Sequence, residues 1–327
     1  MAGAPINCWV MSDGRAGMEI QCLGLAEALG LEPVVKRVAG RKPLRWFTPW
    51  LRPGALWNLR KSSSPLLPPW PDLIIASGRQ PIAPALKIRQ LARRQGQRVH
   101  LVQIQDPAFD PGRFDVIVAP KHDPLRGPNV VFTLGSMHRV TPARLAEAGR
   151  RFAGELATLP RPLVGVLLGG NSRAHRFTAA RAAALGGDLA SLARTSGGGL
   201  WITASRRTPP EVLAALLAPL EGLPHRVWDG AGENPYFGIL ALAQLLVVTE
   251  DSVNMTSEAV AAGKPVLVAP LEGGSPKFAA FHAELRSRGF TRPFQGRFET
   301  WTQAPFDEPS EVAAEVKRRL GLALPPG

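Results

Sequence analysis

The 327-residue chain predicts an α/β protein built on two parallel sheets. Three observations carry this expectation. Short apolar runs alternate with helix-length stretches along the whole sequence, the pattern of strands covered by helices on both faces. The alternation breaks once, at Thr158-Leu159-Pro160-Arg161-Pro162, and then starts afresh. Gly-, hydroxyl- and Arg-rich clusters follow the strand ends, where such sheets hold their ligands. Two alternations in tandem make two Rossmann-like lobes, residues 1–160 and 161–305, with parallel sheets facing across a cleft. A last helix, Glu308–Leu320, follows Gln303-Ala304-Pro305 and is placed to cross back to the first lobe.

In the first lobe, Ile6–Met11 reads as strand, Met18–Leu29 as helix and Pro33–Val38 as strand. Asp72–Ala76 is strand, Pro81–Gln95 helix and Arg98–Ile104 strand, followed by short runs at Val116–Ala119 and Val130–Phe132. Thr141–Leu156 is a long helix, with Thr141 as cap and Pro142 at the first helical position. The second lobe reads Leu163–Leu168 strand, Phe177–Arg194 helix, Gly199–Thr203 strand, Pro209–Pro219 helix, His225–Trp228 strand and Pro235–Ala243 helix. It closes with strand Leu245–Val248, a helix carrying Met255 to Glu258, strand Val266–Ala269 and helix Pro276–Arg288.

Composition narrows the class. Hydrophobic residues make 45% and charged residues 20%, an ordinary globular balance. No run of about 18 uncharged apolar residues occurs, so no membrane span is expected. Ile6–Met11 is too short for a signal peptide, and the two cysteines, Cys8 and Cys22, make neither a disulfide framework nor a zinc site. The expectation is a cytoplasmic protein, peripheral at the inner membrane. The net charge is +13 and lopsided: residues 1–150 hold 21 Lys+Arg against 10 Asp+Glu, residues 151–327 hold 18 against 16. A basic first half suits an anionic partner, although a scattered solvated surface gives the same count.

The most informative stretch runs from Leu245 to Pro270. A helix N-terminus beyond a parallel strand gathers free N–H groups and a positive dipole end, a ready phosphate site. Asp251, Ser252, Asn254, Met255 and Ser257 lie there, and Glu258 is one turn in, able to accept from a ribose diol. Plain capping explains the same grouping, and both readings stand. Three more loops join it. Gly169-Gly170-Asn171-Ser172-Arg173 lets a ligand approach the backbone and offers a guanidinium fork. Ser205, Arg206 and Arg207 follow the next strand, and Trp228, Asn234 and Tyr236 frame the one after. Four such loops on one side of a sheet point to a phosphate or nucleotide site.

The Gly169–Ser172 loop with Thr249–Glu258 is similar to the donor lobe of GT-B glycosyltransferases, notably the lipid-linked peptidoglycan type. That resemblance implies a diphosphate at the helix N-terminus and a ribose on Glu258. The whole chain resembles the mitochondrial-fission ELM (elongated mitochondria) family and its bacterial members. The matching stretches are Ser12-Asp13-Gly14-Arg15-Ala16-Gly17 with Gln21, Ser77-Gly78-Arg79, Gln105-Asp106-Pro107, Gly169–Ser172, Ser205–Thr208, Glu233–Tyr236 and Glu250–Met255. It implies a GT-B-like fold; plant members of the family are tied to organelle fission through a dynamin-like partner.

On that reading the first lobe is the acceptor side, with Gly14, Arg15, Gly17, Ser77, Gly78, Arg79 and Gln105 around an acceptor phosphate. An inverting transfer needs a base, and Asp13, Asp106 and His122 are the candidates. The peptidoglycan enzymes carry a histidine near the end of this loop, where this chain has Met18-Glu19. The second feature of the lobe is Arg41–Lys61, acid-free, with Arg45, Trp46, Trp50, Arg52 and Trp57. Basic residues between tryptophans suit an anionic bilayer surface; a loop folded over the core is the alternative.

The expected function is binding of a nucleotide sugar, UDP- or another NDP-sugar, in the second lobe, with transfer to a cell-envelope or lipid-linked acceptor. No separate cofactor and no metal are expected, because the six histidines are scattered. Nucleic acid is not an expected partner, since no RNA-binding motif occurs. The alternative is a catalytically silent adaptor of the same fold that binds membrane or an unidentified protein. A dehydrogenase or epimerase of the short-chain type fits poorly: Ser12–Gly17 is no G-x-G-x-x-G turn, and Leu240 stands four places after Tyr236 where a lysine is needed.

Overall fold

The computed structural model describes residues 6–41, 55–228 and 230–322. The chain divides into two compact units: residues 1–139 with 307–327, and residues 140–306.

The first unit carries a six-stranded sheet. Its elements are β1 (Cys8–Ser12), α1 (Ala16–Ala28), β2 (Val34–Arg37), β3 (Leu73–Ser77), α2 (Ile82–Arg94), β4 (His100–Ile104), β5 (Val116–Pro120) and β6 (Val130–Thr133). The order is β2-β1-β3-β4-β5-β6, parallel throughout. Side chains alternate between the two faces of the sheet. Cys8 and Val10 join one apolar cluster with Leu25, Leu29 and Val102; Trp9 and Met11 join the other with Ile88 and Trp70. Cys8 is core filler, and burial pushes its thiol up to about 12.

The second unit begins with α3 (Pro142–Leu156) and β7 (Leu163–Leu168). There follow β8 (His175–Arg176), α4 (Ala179–Ser196), β9 (Gly199–Ala204), α5 (Pro210–Leu217), β10 (His225–Trp228), α6 (Tyr236–Leu242) and β11 (Leu245–Thr249). The unit ends with α7 (Val253–Ala261), β12 (Val266–Ala269), β13 (Glu272–Gly273), α8 (Pro276–Ser287) and β14 (Thr291–Pro293). Its parallel sheet runs β10-β9-β7-β11-β12-β14. The sequence reading lacks β8, β13 and β14. Two of these are two-residue strands that pair antiparallel, and the third ends in proline at the sheet edge.

The unit boundary falls at Arg139–Val140, earlier than the expected break at 160–161. Helix α3 is the reason. Thr141 caps it by accepting from the Arg144 N–H, and its Phe152 packs edge-on against Trp201 in β9. A Cβ on Gly238 in α6 would meet that same ring at 2.7 Å, so the glycine admits Phe152.

The last helix, α9 (Glu308–Leu320), completes the first unit. Val312, Ala313, Val316 and Leu320 enter the cluster of Cys22, Leu25 and Leu29. Its N-terminus is fixed twice: Asp307 caps Ser310, and buried Glu308 accepts from the Leu134 and Gly135 N–H groups. No helix among the described residues is long and apolar enough to cross a membrane.

Candidate functional site

In each sheet there is one place where chain order reverses. In open α/β sheets, loops beyond the carboxyl ends of the two strands at such a reversal are where ligands commonly bind. In the second unit those strands are β7 and β11. Their loops are Gly169–Ser172 and the Thr249–Ser252 turn, and hydrogen bonds join them directly. The Gly169 N–H donates to Thr249 Oγ1 (2.7 Å) and the Gly170 N–H to Asp251 Oδ2 (3.0 Å). The Thr249 hydroxyl donates to Asp251 Oδ1 (2.7 Å). Arg207 closes on Asp251 Oδ2 at 2.7 Å; the Asp251 side chain is 0% exposed, that of Arg207 41%. The hydroxyls of Ser205 and Thr208 both donate to the Gly169 carbonyl.

This geometry gives the two glycines a structural role within the protein itself. A Cβ on Gly169 would lie 2.0 Å from Asp251 Oδ1, and one on Gly170 2.1 Å from the Arg207 carbonyl oxygen. The glycines therefore admit the protein's own carboxylate and backbone. The loop amides are also used internally: Asn171 N–H donates to Arg207 O and Ser172 N–H to His175 O. The side chains of Asn171 and Ser172 shape the turn, accepting from the N–H groups of Phe177 and of Ala174 and His175. Arg173 and Arg206 are exposed and make no hydrogen bond or ion pair among the described residues.

Helix α7 rises from this cluster. Ser252 is its N-cap and accepts from the Met255 N–H at 3.3 Å. Asn254 and Met255 are half-buried in the first turn, and the Ser257 hydroxyl folds back on the Val253 carbonyl (2.8 Å). Glu258 is buried, 6% exposed, and accepts from the Tyr236 hydroxyl at 2.6 Å. Burial pushes the Glu258 carboxyl up to about 7, against a smaller lowering by the Tyr236 hydrogen bond. Burial, and then the Glu258 carboxylate, push the Tyr236 phenol well up. The loop before α6 sets that tyrosine: Trp228 Nε1 donates to Ala231 O, and Asn234 Oδ1 accepts from the Tyr236 N–H. Sequence reading placed Thr249 in the turn but gave it no role in the site. A hydroxyl and a carboxylate two residues apart at a strand end, Thr249-Glu250-Asp251, was the available signal.

In the first unit the reversal lies between β1 and β3. Asp13, with a side chain 7% exposed, meets Arg15 at 3.4 Å and accepts from Gln80 Nε2 at 3.3 Å. The Gly14 N–H donates to Ser12 Oγ. Glu19 is gripped by Arg37 through two 2.7 Å hydrogen bonds. That guanidinium holds its carboxyl below the usual range. The Ser77 hydroxyl donates to the Met18 sulfur, and Gly78 takes φ +86° beside it. Gln105 has φ +70°, strained for a side-chain-bearing residue, and its amide donates to Gln21 Oε1 at 3.4 Å. Asp106 accepts from the Ala108 N–H at 2.8 Å and so shapes a turn. His122 is half-buried in the turn after β5; Arg79 is exposed and Gly17 half-buried. Asp13, Asp106 and His122 follow three different strands, β1, β4 and β5. Arg45, Trp46, Trp50 and Arg52 lie outside the described residues, while Trp57 is 88% exposed.

Two parallel six-stranded sheets, each with its loops gathered at a reversal point, define an α/β protein of the GT-B class. The UDP-GlcNAc 2-epimerase of Methanocaldococcus jannaschii shares the fold, with TM-score 0.58 at 11% identity over 97% of this chain and 99% of that one. A structure of that enzyme in complex with UDP-GlcNAc and UDP gives 0.55, again at 11% identity over 97% and 99%. Within this class the chain belongs to the mitochondrial fission ELM1 family, whose pattern matches residues 16–320. The mitochondrial fission protein ELM1 of Arabidopsis thaliana is 35% identical over 277 residues, which cover 76% of this chain and 64% of that protein. The chain thus spans a little under two thirds of that relative. Protein RP120 of Rickettsia prowazekii (strain Madrid E) is 24% identical over 362 residues, 97% of this chain and 99% of that one.

Proposed function

We propose that the second unit binds a nucleotide sugar, a UDP-sugar first among candidates, at the N-terminus of α7. The supporting observation is the buried Asp251, which ties the Gly169-Gly170 bend to the residues just before that helix and pairs with Arg207. Diphosphate oxygens would accept from the first-turn amides and from Arg206 and Arg207, with Glu258 toward the ribose. The M. jannaschii enzyme of the same fold is seen in complex with UDP-GlcNAc and UDP. Sugar transfer to a lipid-linked acceptor at the inner membrane face is the activity this reading implies, with Asp13 as base.

A second reading, a catalytically silent adaptor, draws on the first unit. Asp13 is held by Arg15 and Gln80, Asp106 serves a turn, and Glu19 is paired with Arg37. Calorimetric titration with UDP, UDP-GlcNAc and other NDP-sugars tests the binding. Wild type should bind at least one, and Glu258→Ala should weaken it about tenfold or more through loss of a buried acceptor. No heat with any nucleotide would remove the nucleotide-sugar reading. Binding without turnover of the bound sugar would select the adaptor.

A further inference from the structure

A separate cavity of about 950 Å³ lies at the opposite edge of the first unit's sheet, against the amino ends of β4 and β5. Its walls come from α2 and from the segments just before those strands. Five cations line it, Lys87, Arg89, Arg93, Arg98 and Arg113, against one carboxylate, Asp115. That acid is already engaged. Its Oδ2 accepts from the Leu101 N–H at 2.7 Å and from Arg89 at 3.4 Å.

The cations divide into anchored and free. Arg89 also donates to the Arg113 carbonyl (2.7 Å), and Arg113 pairs with Asp110 at 3.0 Å. Those contacts fix two guanidinium planes and leave part of each fork open. The side chains of Arg93 and Arg98 are exposed and make no hydrogen bond or ion pair among the described residues. Clustering has a cost that an anion would relieve. Burial lowers the Arg89 pKa first; Asp115 opposes this, and Arg113 and Arg93 lower it further. Burial likewise lowers His100 first; Asp115 opposes this, and Arg98 lowers it further. Like charges held together in a concavity repel one another and focus a positive potential on its interior.

We propose that this cavity is a binding site for a ligand bearing clustered phosphates, distinct from the nucleotide-sugar site of the second unit. Guanidinium forks select phosphate oxygens by geometry as well as charge, and several forks around one concavity require several phosphates. A free polyphosphate and a phosphorylated lipid headgroup present the same chemistry, and the test separates them.

The experiment compares the intact chain with its R93E/R98E variant at physiological salt. One arm titrates tripolyphosphate calorimetrically; the other sediments the protein with phosphatidylcholine vesicles containing phosphatidic acid. Both substitutions lie at exposed positions, so thermal unfolding should match wild type; Arg98→Gln alone provides a milder second variant. Tripolyphosphate binding that falls about tenfold or more in R93E/R98E supports the site and a soluble ligand. Sedimentation that is lost in R93E/R98E, without tripolyphosphate binding, supports the site and a lipid source. Absence of binding in both arms, or binding unchanged by both variants, overturns the proposal. Glu258→Ala should leave either signal intact, which separates this site from the nucleotide-sugar site.

Discussion

At residue scale, the Glu258–Tyr236 pair makes the second unit pH-sensitive. The carboxyl titrates near 7 when folded, above the ordinary 4.5, chiefly because it is buried. The folded state therefore holds a proton that the unfolded state has released between these values. Stability from this group is full below about pH 4.5 and declines as pH rises toward 7, by on the order of 3 kcal/mol. Glu258→Gln should flatten that decline in denaturant unfolding measured from pH 5 to 8; an unchanged slope would assign it elsewhere. If Glu258 meets a ribose diol, nucleotide affinity should also rise as pH passes through about 7, because the ionised carboxylate is the better acceptor.

Asp251 is the other residue on which the site turns. It accepts from the Gly170 N–H and the Thr249 hydroxyl and pairs with Arg207, all while fully buried. Asp251→Ala would leave a buried amide without its acceptor and Arg207 without its counter-charge, at a cost of about 3 kcal/mol. Gly169→Ala should cost a comparable amount, since its Cβ would overlap the same carboxylate. Urea midpoints measure both, and nucleotide binding should fall with each.

At the scale of elements, most helices and strands were legible because each declares itself locally. Thr141-Pro142 announces α3, and apolar runs such as Leu163–Leu168 announce buried strands. What was not legible depends on partners distant in sequence. Strand β13 exists only because Glu272 and Gly273 meet Arg176 and His175. The contact division precedes the Pro-rich stretch because proline content marks a bend, whereas α3 is tied to the second unit by Phe152 meeting Trp201 and Gly238. The Gly169-Gly170 pair showed that something approaches the backbone; only the fold shows that it is Asp251 and Arg207. Helix α9 illustrates the same dependence. Val316→Ala, at a 0% exposed position in the first unit's core, should cost about 2 kcal/mol. Denaturant unfolding should place that loss in the first unit.

For the whole molecule, two units with separate cores should respond separately to ligands. A nucleotide bound by the second unit at one hundred times its dissociation constant should add about 2.7 kcal/mol to that unit. Calorimetry should then show the gain in the transition carrying the second unit, whereas the Val316→Ala loss belongs to the other. A single transition moved equally by both would mean that the units unfold together.

The return of α9 also sets an order of events during synthesis. Residues 140–306 form an insertion within the first unit, between its main body and its closing helix. A ribosome has therefore delivered every residue of the inserted unit before the earlier-made sheet receives Val312, Val316 and Leu320. The unit translated first is the unit finished last, and until then Cys22 and Leu25 lack the part of their cover that Val312, Val316 and Leu320 supply.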